Sequence, residues 1–260
     1  MPKSKREKVV SLTKTDKKTK QHKSGLIEAV RESADEWTYC WLFNVGDMRN
    51  SHLKEVRAAW RGTGRLFFGR NKVMGKALGT TPEDEYKEGL SKVSAQLNGP
   101  TGLFFTNHPP KETLEYFESF QKPDFARAGN VAARDVTLPV GPLLMYNDPT
   151  SPFPHSMDPQ LRKLGLATSL VKGVPSLTAP HVICKKGKVL TAEQAQLLKL
   201  CGEMMATFQV TLSGFWCEDQ GFKAGPLTAA NAPKPALVVK QPKVVEKKST
   251  EEMDDEEDDE

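Results

Sequence analysis

Nine residues set the first limit on what this chain can fold into. Trp37-Thr38-Tyr39-Cys40-Trp41-Leu42-Phe43-Asn44-Val45 is rich in aromatic and β-forming side chains. Period-2 alternation puts Trp37, Tyr39, Trp41, Phe43 and Val45 on one face. Cys40 and Leu42 make the other face apolar too, so the run reads as a strand largely buried on both sides. The same region holds the longest apolar runs, such as Trp41-Leu42-Phe43. They fall far short of the ~20 residues that cross a bilayer.

Helix and strand signals surround that run. Ser24-Gly25 opens an amphipathic stretch with Leu26, Ile27, Val30 and Ala34. Ser51 is a candidate N-cap for a helix to about Arg61, with Leu53, Val56 and Trp60 as its buried stripe. Arg65-Leu66-Phe67-Phe68 reads as a second strand, and the segment from Gly69 to Leu78 as a turn and short helix. Thr81-Pro82-Glu83-Asp84 has the cap, proline and acids of a helix start, with Tyr86, Leu90, Val93 and Leu97 as its apolar face. Leu103-Phe104-Phe105 is a third strand, and the stretch from Pro110 to Phe120 a further helix.

Near Lys122-Pro123 the texture changes: residues 139–180 hold eight of the 18 prolines. Val182-Ile183-Cys184 and Val189-Leu190 flank Lys185-Lys186-Gly187-Lys188 as a candidate hairpin. Thr191-Ala192-Glu193-Gln194 is a capping box, and the stretch from Met204 to Trp216 a returning strand. The fold class expected is α+β. A plait-like mixed sheet with packed helices is interrupted by a smaller α+β insertion domain. The organisation is a basic extension over 1–24, a first domain over 25–121, an insertion over 122–190, a return segment over 191–222, and a linker with an acidic tail over 223–260. Both ends are expected to be disordered, because neither buries enough apolar surface to offset chain entropy.

Charge narrows the function. The formal net charge of +4 over 260 residues hides larger local charges of opposite sign. Residues 1–24 carry a local +7 and residues 246–260 a local −8, with +5 between them. Such segregation points toward nucleic acid and its protein neighbours. The N-terminus is charged and has no apolar signal region. Cys40, Cys184, Cys201 and Cys217 form no C-x-x-C pair, which argues for a reducing compartment and against a zinc site.

Enzyme motifs fail one by one. Gly62-Thr63-Gly64 and Gly69-Arg70-Asn71-Lys72 lack the glycine spacing of a phosphate loop or a dinucleotide fingerprint. His22, His52, His108, His155 and His181 form no metal-ligand pattern, and no serine sits in a nucleophile motif. No catalytic residue, metal or cofactor is expected. An α/β enzyme acting on RNA or nucleotides is the rival from another class.

One constellation does carry chemistry. Arg49, Lys54, Arg57, Arg61, Arg65, Arg70, Lys72 and Lys76 fall in a window, 49–76, whose only acid is Glu55. Most charge runs are solvated faces, but ordinary surfaces mix both signs and this one does not. Lys54, Arg57 and Arg61 repeat at helical spacing, about 100° from the buried stripe. Guanidinium forks fit phosphates, and binding them releases counterions. Asn50, Ser51 and Asn71 add neutral donors for phosphate or ribose oxygens. RNA is favoured over DNA, because no motif that places a reading helix in a major groove is visible.

These residues also carry a resemblance. Asn44-Val45-Gly46-Asp47-Met48-Arg49-Asn50-Ser51-His52-Leu53-Lys54-Glu55-Val56-Arg57, Trp60-Arg61-Gly62 and Phe67-Phe68-Gly69-Arg70-Asn71-Lys72-Val73-Met74 are similar to the ribosomal stalk-base (P-zero) family. Arg49-Asn50-Ser51, Gly69-Arg70-Asn71-Lys72 and Asp84-Glu85-Tyr86-Lys87 resemble its eukaryotic ribosome-assembly branch, of the mRNA-turnover-protein-four type. The match covers roughly residues 25–220 and includes Gly102-Leu103-Phe104-Phe105-Thr106-Asn107, Ala126-Arg127-Ala128-Gly129 and Gly165-Leu166-Ala167-Thr168.

The resemblance implies a non-enzymatic ribosome-biogenesis protein that binds large-subunit rRNA at the GTPase-associated centre of nuclear 60S precursors. It would hold that site until the mature stalk protein takes over. It further implies a neighbouring large-subunit protein as partner, other assembly or release factors through the insertion domain, and links to rRNA processing and mRNA turnover. The implied location is nucleolar and nuclear, with transient cytoplasmic presence on late precursors. The mature stalk protein carries helices for acidic partner dimers and a Gly-Phe-Gly-Leu-Phe-Asp end. Here the text after Trp216 is Pro-rich and ends in Asp258-Asp259-Glu260, so no docking of stalk dimers is expected. A mature stalk-base protein with a shortened tail is the nearer alternative.

Overall fold

Burial settles where the aromatic run goes. Tyr39, Cys40, Trp41, Leu42 and Phe43 are each 2% exposed or less, as expected for a strand with two covered faces. The computed structural model describes residues 20–146, 150–236 and 240. In chain order its elements are α1 (Lys20–Glu36), β1 (Tyr39–Gly46), α2 (Asn50–Ala59), β2 (Gly64–Phe67), α3 (Asn71–Leu78), α4 (Leu90–Ala95), β3 (Thr101–Thr106), α5 (Pro110–Ser119) and β4 (Gln121–Asp124). Then follow β5 (Val136–Leu138), β6 (Gly141–Pro142), α6 (Asp158–Lys163), β7 (Thr168–Val171), β8 (Val174–Leu177), β9 (His181–Cys184), α7 (Ala192–Cys201), β10 (Ala206–Cys217) and β11 (Gly221–Ala224). The fold is α+β.

The chain forms two compact units. One is built from the described residues up to Asn44, Lys54–Leu114 and the described residues from Leu212 onward. The other is built from Val45–Leu53 and Glu115–Thr211. The main sheet has the order β11-β10-β1-β3-β2, with β4 also pairing β10. β3 is antiparallel to both neighbours, with Phe43 opposite Gly102 on one side and Phe67 opposite Leu103 on the other. In the first unit, Cys40, Leu42, Phe67, Leu103 and Phe105 pack with Val30, Met74, Leu78 and Leu90 from α1, α3 and α4. Neighbouring residues on a strand point to opposite faces. The other face accordingly holds Trp41 edge-on to Phe215 at 4.7 Å, and Phe104 edge-on to Trp60, just past α2, at 4.9 Å.

The second unit has its own core, including Val136, Leu143, Phe153, Leu161, Ile183 and Leu198. It contains a three-stranded sheet, β6-β8-β7, and a two-stranded one, β5-β9. The capping box at the start of α7 forms as expected: Thr191 Oγ1 accepts from the Gln194 amide, and the Gln194 side chain accepts from the Thr191 amide.

Several local expectations are corrected. No helix starts at Thr81. Residues 81–84 make a turn, and the helix is only Leu90–Ala95. Tertiary bonds explain this: the Tyr86 hydroxyl donates to Asp35, Lys87 pairs with Asp35 and Glu218, and Gly89 adopts φ +85°. The candidate hairpin flanking 185–188 does not close on itself. β9 pairs with β5 and Val189 bridges Val131, because each strand finds a partner upstream in the chain.

The domain boundaries meet structure at both ends. α1 begins at Lys20, so Lys20–Ser24 of the basic extension are helical. The linker drawn from 223 starts inside β11 (Gly221–Ala224), which pairs with β10. The rest of the basic head and the acidic run 251–260 lie outside the described residues.

Beyond β11 the chain is strapped to the first unit. Gly225 and Leu227 amides donate to the Ser213 and Leu212 carbonyls, each at 3.0 Å. The Ala236 amide donates to the Tyr39 hydroxyl at 2.8 Å, and the Lys240 amide to Thr38 Oγ1 at 2.7 Å. Glu218 Oε1 accepts from both Lys87 and Lys240, at 2.7 and 2.8 Å. The bonds from Lys240 and Lys87 hold the Glu218 carboxyl below its ordinary pKa. Burial pushes the Asp35 carboxyl up, but bonds from Tyr86 and Lys87 outweigh it and hold it low. Burial pulls the Lys87 ammonium down, and its bonds to Glu218 and Asp35 more than offset that.

Both the sheet and the strap can be tested. A Cβ at Gly102 would lie 2.4 Å from the Phe43 ring and 2.6 Å from the Phe67 carbonyl oxygen. Gly102→Ala is therefore expected to cost about 1–3 kcal/mol in urea unfolding, and a variant as stable as the parent would contradict this packing. The depressed carboxyls stabilise the strap at pH values above their ordinary ones and lose that contribution as pH falls through the folded-state values. Lys87, raised, loses its contribution only in alkali. Hydrogen exchange at the Ala236 and Lys240 amides should thus keep its protection at neutral pH and lose it below about pH 4. Glu218→Gln should flatten that pH dependence.

Candidate nucleic-acid interface

The basic window runs from just before α2 through β2 to α3. At its start, Asp47 takes φ +48° and accepts from Asn130 at 2.6 Å, fixing the turn that follows β1. That turn moves the start of α2 upstream of the expected position. The Leu53 amide already bonds the Arg49 carbonyl, at 3.1 Å. Ser51 therefore lies inside the first turn rather than capping it, and is exposed beside exposed Asn50.

Arg49 is engaged within its own unit. Its Nε donates to Asp124 Oδ2 at 2.5 Å and its Nη2 to the Phe125 carbonyl at 3.3 Å, with the side chain 28% exposed. His52 Nε2 stands 3.8 Å from the same carboxylate oxygen. Arg49 holds the turn at the start of α2.

Along α2 the expected stripes appear. Leu53, Val56 and Trp60 are buried. Lys54 and Arg61 are exposed, and Arg57 is half-buried. β2 is the edge strand, and its Arg65 is exposed with the guanidinium carbon 5.1 Å from the centre of the Phe67 ring. Arg70 then precedes α3 in extended conformation, and the helix starts without a side-chain cap. Arg70, Lys72 and Lys76 are exposed. The positive end of the helix dipole adds to the field of the first two. Asn71 donates to the Gly99 carbonyl at 2.9 Å, tying this corner to the loop before β3.

The structure does not place these cations on one stripe. α2 leads into Trp60, which packs on Phe104, whereas α3 packs on the face of Leu103 and Phe105. Adjacent residues of a strand face opposite ways. Lys54, Arg57 and Arg61 therefore lie over one face of the sheet, and Lys72 and Lys76 over the other. Arg65 sits on the edge strand that joins them. The constellation read from sequence is a basic segment that passes around a sheet edge. Sequence reasoning also missed the Asn98-Gly99 turn, with Gly99 at φ +67°, as the support for Asn71. The Asn-Gly pair was its available signal.

Other chemistry has little footing among the described residues. Asp158 is the buried acid, and it bonds Thr168 Oγ1 at 2.6 Å and Arg162 at 2.9 Å, as a structural group does. Burial pushes the Cys40 thiol well up and the Cys201 thiol up to about 11, away from reactive thiolate. No group of three or more metal-ligating side chains comes together there, and no helix is long and apolar enough to cross a membrane.

Comparison with known proteins decides the family. Residues 18–122 match the model described as Ribosomal protein L10, and residues 126–202 the one described as the insertion domain in the 60S ribosomal protein of that type. The chain belongs to the ribosomal protein L10 family. Within it, the chain is 44% identical over 222 residues to ribosome assembly factor mrt4 of Schizosaccharomyces pombe, covering 83% of this chain and 91% of that one. It is 35% identical over 227 residues to ribosome assembly factor MRT4 of Saccharomyces cerevisiae, covering 84% and 95%. To large ribosomal subunit protein uL10 of Thermococcus sibiricus it is 27% identical over 176 residues, covering 68% and 50%. A family of ribosomal and ribosome-assembly proteins is not a family of enzymes, and this chain is no enzyme.

The Arg49 pair yields a test. Asp124→Ala leaves a half-buried guanidinium without its carboxylate and is expected to cost about 1–3 kcal/mol in urea unfolding. Asp124→Asn, which keeps an acceptor, should lose less. Equal stability for all three proteins would remove Arg49 from this structural role.

Proposed function

We propose that this chain is a non-enzymatic ribosome assembly factor. It binds large-subunit rRNA at the stalk base, the GTPase-associated centre, on nuclear precursors of the large subunit. There it holds the site until the mature stalk protein replaces it. The observation that carries this reading is the α2–β2–α3 segment, with cations on both faces of a sheet edge and a single acid, in a chain whose relatives are named ribosome assembly factors.

Lys54, Arg57, Arg61, Arg65, Arg70, Lys72 and Lys76 take phosphates in this reading. Asn50 and Ser51, exposed at the start of α2, and Asn71 add hydrogen bonds. Arg49 keeps guanidinium N–H groups beyond those spent on Asp124 and Phe125, and contributes from a fixed position. The L10-type domain supplies the rRNA contact over 25–121 and 191–222, and the insertion over 122–190 meets neighbouring proteins or release factors. Work proceeds in the nucleolus and nucleus and ends with departure from late particles in the cytoplasm. The alternative of a mature stalk-base protein has weaker support: identity to the uL10 relative is 27%, against 44% to an assembly factor.

Removing each phosphate contact should lower the log–log salt slope of rRNA binding by roughly 0.7–0.9. The Arg70→Glu, Lys72→Glu double variant and the Lys54→Glu, Arg57→Glu variant are both expected to weaken binding to a stalk-base rRNA fragment and to flatten that slope. Anisotropy titrations across salt measure both. A folded Arg70→Glu, Lys72→Glu protein that binds as well as the parent would refute the site.

A further inference from the structure

We propose that a notch at one end of the main sheet, within the first unit, takes a single unstacked base of the bound RNA. The inference rests on the RNA-binding reading above and adds a base-recognition pocket beside its phosphate contacts.

Strand register brings three chain segments to one rim. Tyr39 at the start of β1 pairs with Thr106 at the end of β3, and Thr106 pairs with Gly64 at the start of β2. Residues flanking those strand ends, Trp37, Gly62, Thr63, Asn107, His108 and Pro109, line a notch of about 230 Å3. Sites for drug-sized molecules run to roughly 300–1,000 Å3, so the notch suits one small heterocycle. Gly62, at φ +86°, has open space where a Cβ would stand, so no side chain closes that wall.

The side chains around it suit a base. Trp37 is 6% exposed, yet its Nε1 has no hydrogen-bond partner. Asn107 Oδ1 accepts from the Thr38 amide at 2.7 Å, and its Nδ2 is left buried and without a partner too. An unpaired buried N–H costs stability until an acceptor reaches it. A base carries ring-nitrogen and carbonyl acceptors on the edge of a flat ring. Both donor nitrogens are closed to water in the free protein, so a base reaches them through a small shift of the two side chains, of the kind common on binding. His108 supplies a ring for stacking: its side chain is 42% exposed and stands edge-on to Trp60 at 5.3 Å. Glu112 Oε2, 3.7 Å from His108 Nδ1, disfavours a phosphate at that wall and leaves it to the neutral part of a nucleotide. Phosphates belong on the opposite side, where exposed Arg61 precedes Gly62 and exposed Arg65 follows Gly64. The notch is thus continuous with the basic segment.

The test uses the full chain and a stalk-base rRNA fragment in which each unpaired nucleotide is made abasic in turn. For the parent, one abasic position should weaken binding about tenfold. His108→Ala, at a half-exposed side chain, and Trp37→Phe, which keeps a ring but removes the donor, should each weaken binding of the intact fragment several-fold. The salt slope should stay unchanged, because a base contact releases no counterion. Against either variant, the same abasic fragment should lose little more. The indole N–H resonance of Trp37, identified by its absence in Trp37→Phe, should shift when the intact fragment binds and stay in place with the abasic one. A full abasic penalty retained in both variants, or an unmoved indole resonance, would overturn the proposal and leave the phosphate contacts standing. A parent without salt-dependent affinity for the fragment would overturn it together with the RNA-binding reading.

Discussion

A strand without a wet face must be covered by two layers, and the first unit is arranged to supply them. β1 buries Cys40 and Leu42 toward α1, α3 and α4, while Trp41 points to the other face beside Phe215 of the adjacent strand β10, the face on which Trp60 packs against Phe104. At about 25 cal/mol per Å2, aromatic side chains that bury roughly 150–250 Å2 dominate such a core. The close approach of Phe43 to β3 is possible because Gly102 has no Cβ. The covering helices need connections that cross from one face to the other. The chain from α2 through β2 to α3 is one of them, and it carries the cations. The basic surface is thus a consequence of how β1 is buried.

The parts of this fold legible in the sequence are those fixed by local physics. The two-faced strand needs only alternation, and the α7 capping box only Thr191 and Gln194 at the right spacing. The failures have tertiary causes. Thr81-Pro82-Glu83-Asp84 has every local mark of a helix start. Yet Tyr86 and Lys87 bond Asp35 and Glu218, residues 51 and 131 positions away, and the helix does not form there. Ser51 loses the cap because the left-handed Asp47 begins the helix early. The strap after β11 looks like linker because its hold depends on backbone amides reaching Tyr39 and Thr38, and backbone bonds leave no mark in composition.

The candidate site was legible in its residue types and not in its shape. Sign bias is additive along a chain, so the window 49–76 stands out by counting alone. Which face each cation occupies depends on whether its helix packs beside Phe104 or beside Phe105, neighbours in sequence that point opposite ways. No periodicity within the window carries that information. The same ambiguity covers Arg49 and Asn71. Each is polar and near the cations, but Arg49 is tied to Asp124 and Asn71 to the Gly99 carbonyl. Both shape the surface as much as they present it.

Distribution around an edge changes what the charges can do. Cations on one flat stripe meet one strand of phosphates. Cations on α2, on β2 and at the start of α3 produce a field that extends around the sheet edge, and over a Debye length of about 8 Å they act on an approaching polyanion together. Such a surface suits a folded RNA that presents phosphates from more than one direction better than a single extended strand. The strap that fixes Lys240 beside Thr38 and the edge that carries Arg65 lie at neighbouring positions of one sheet row.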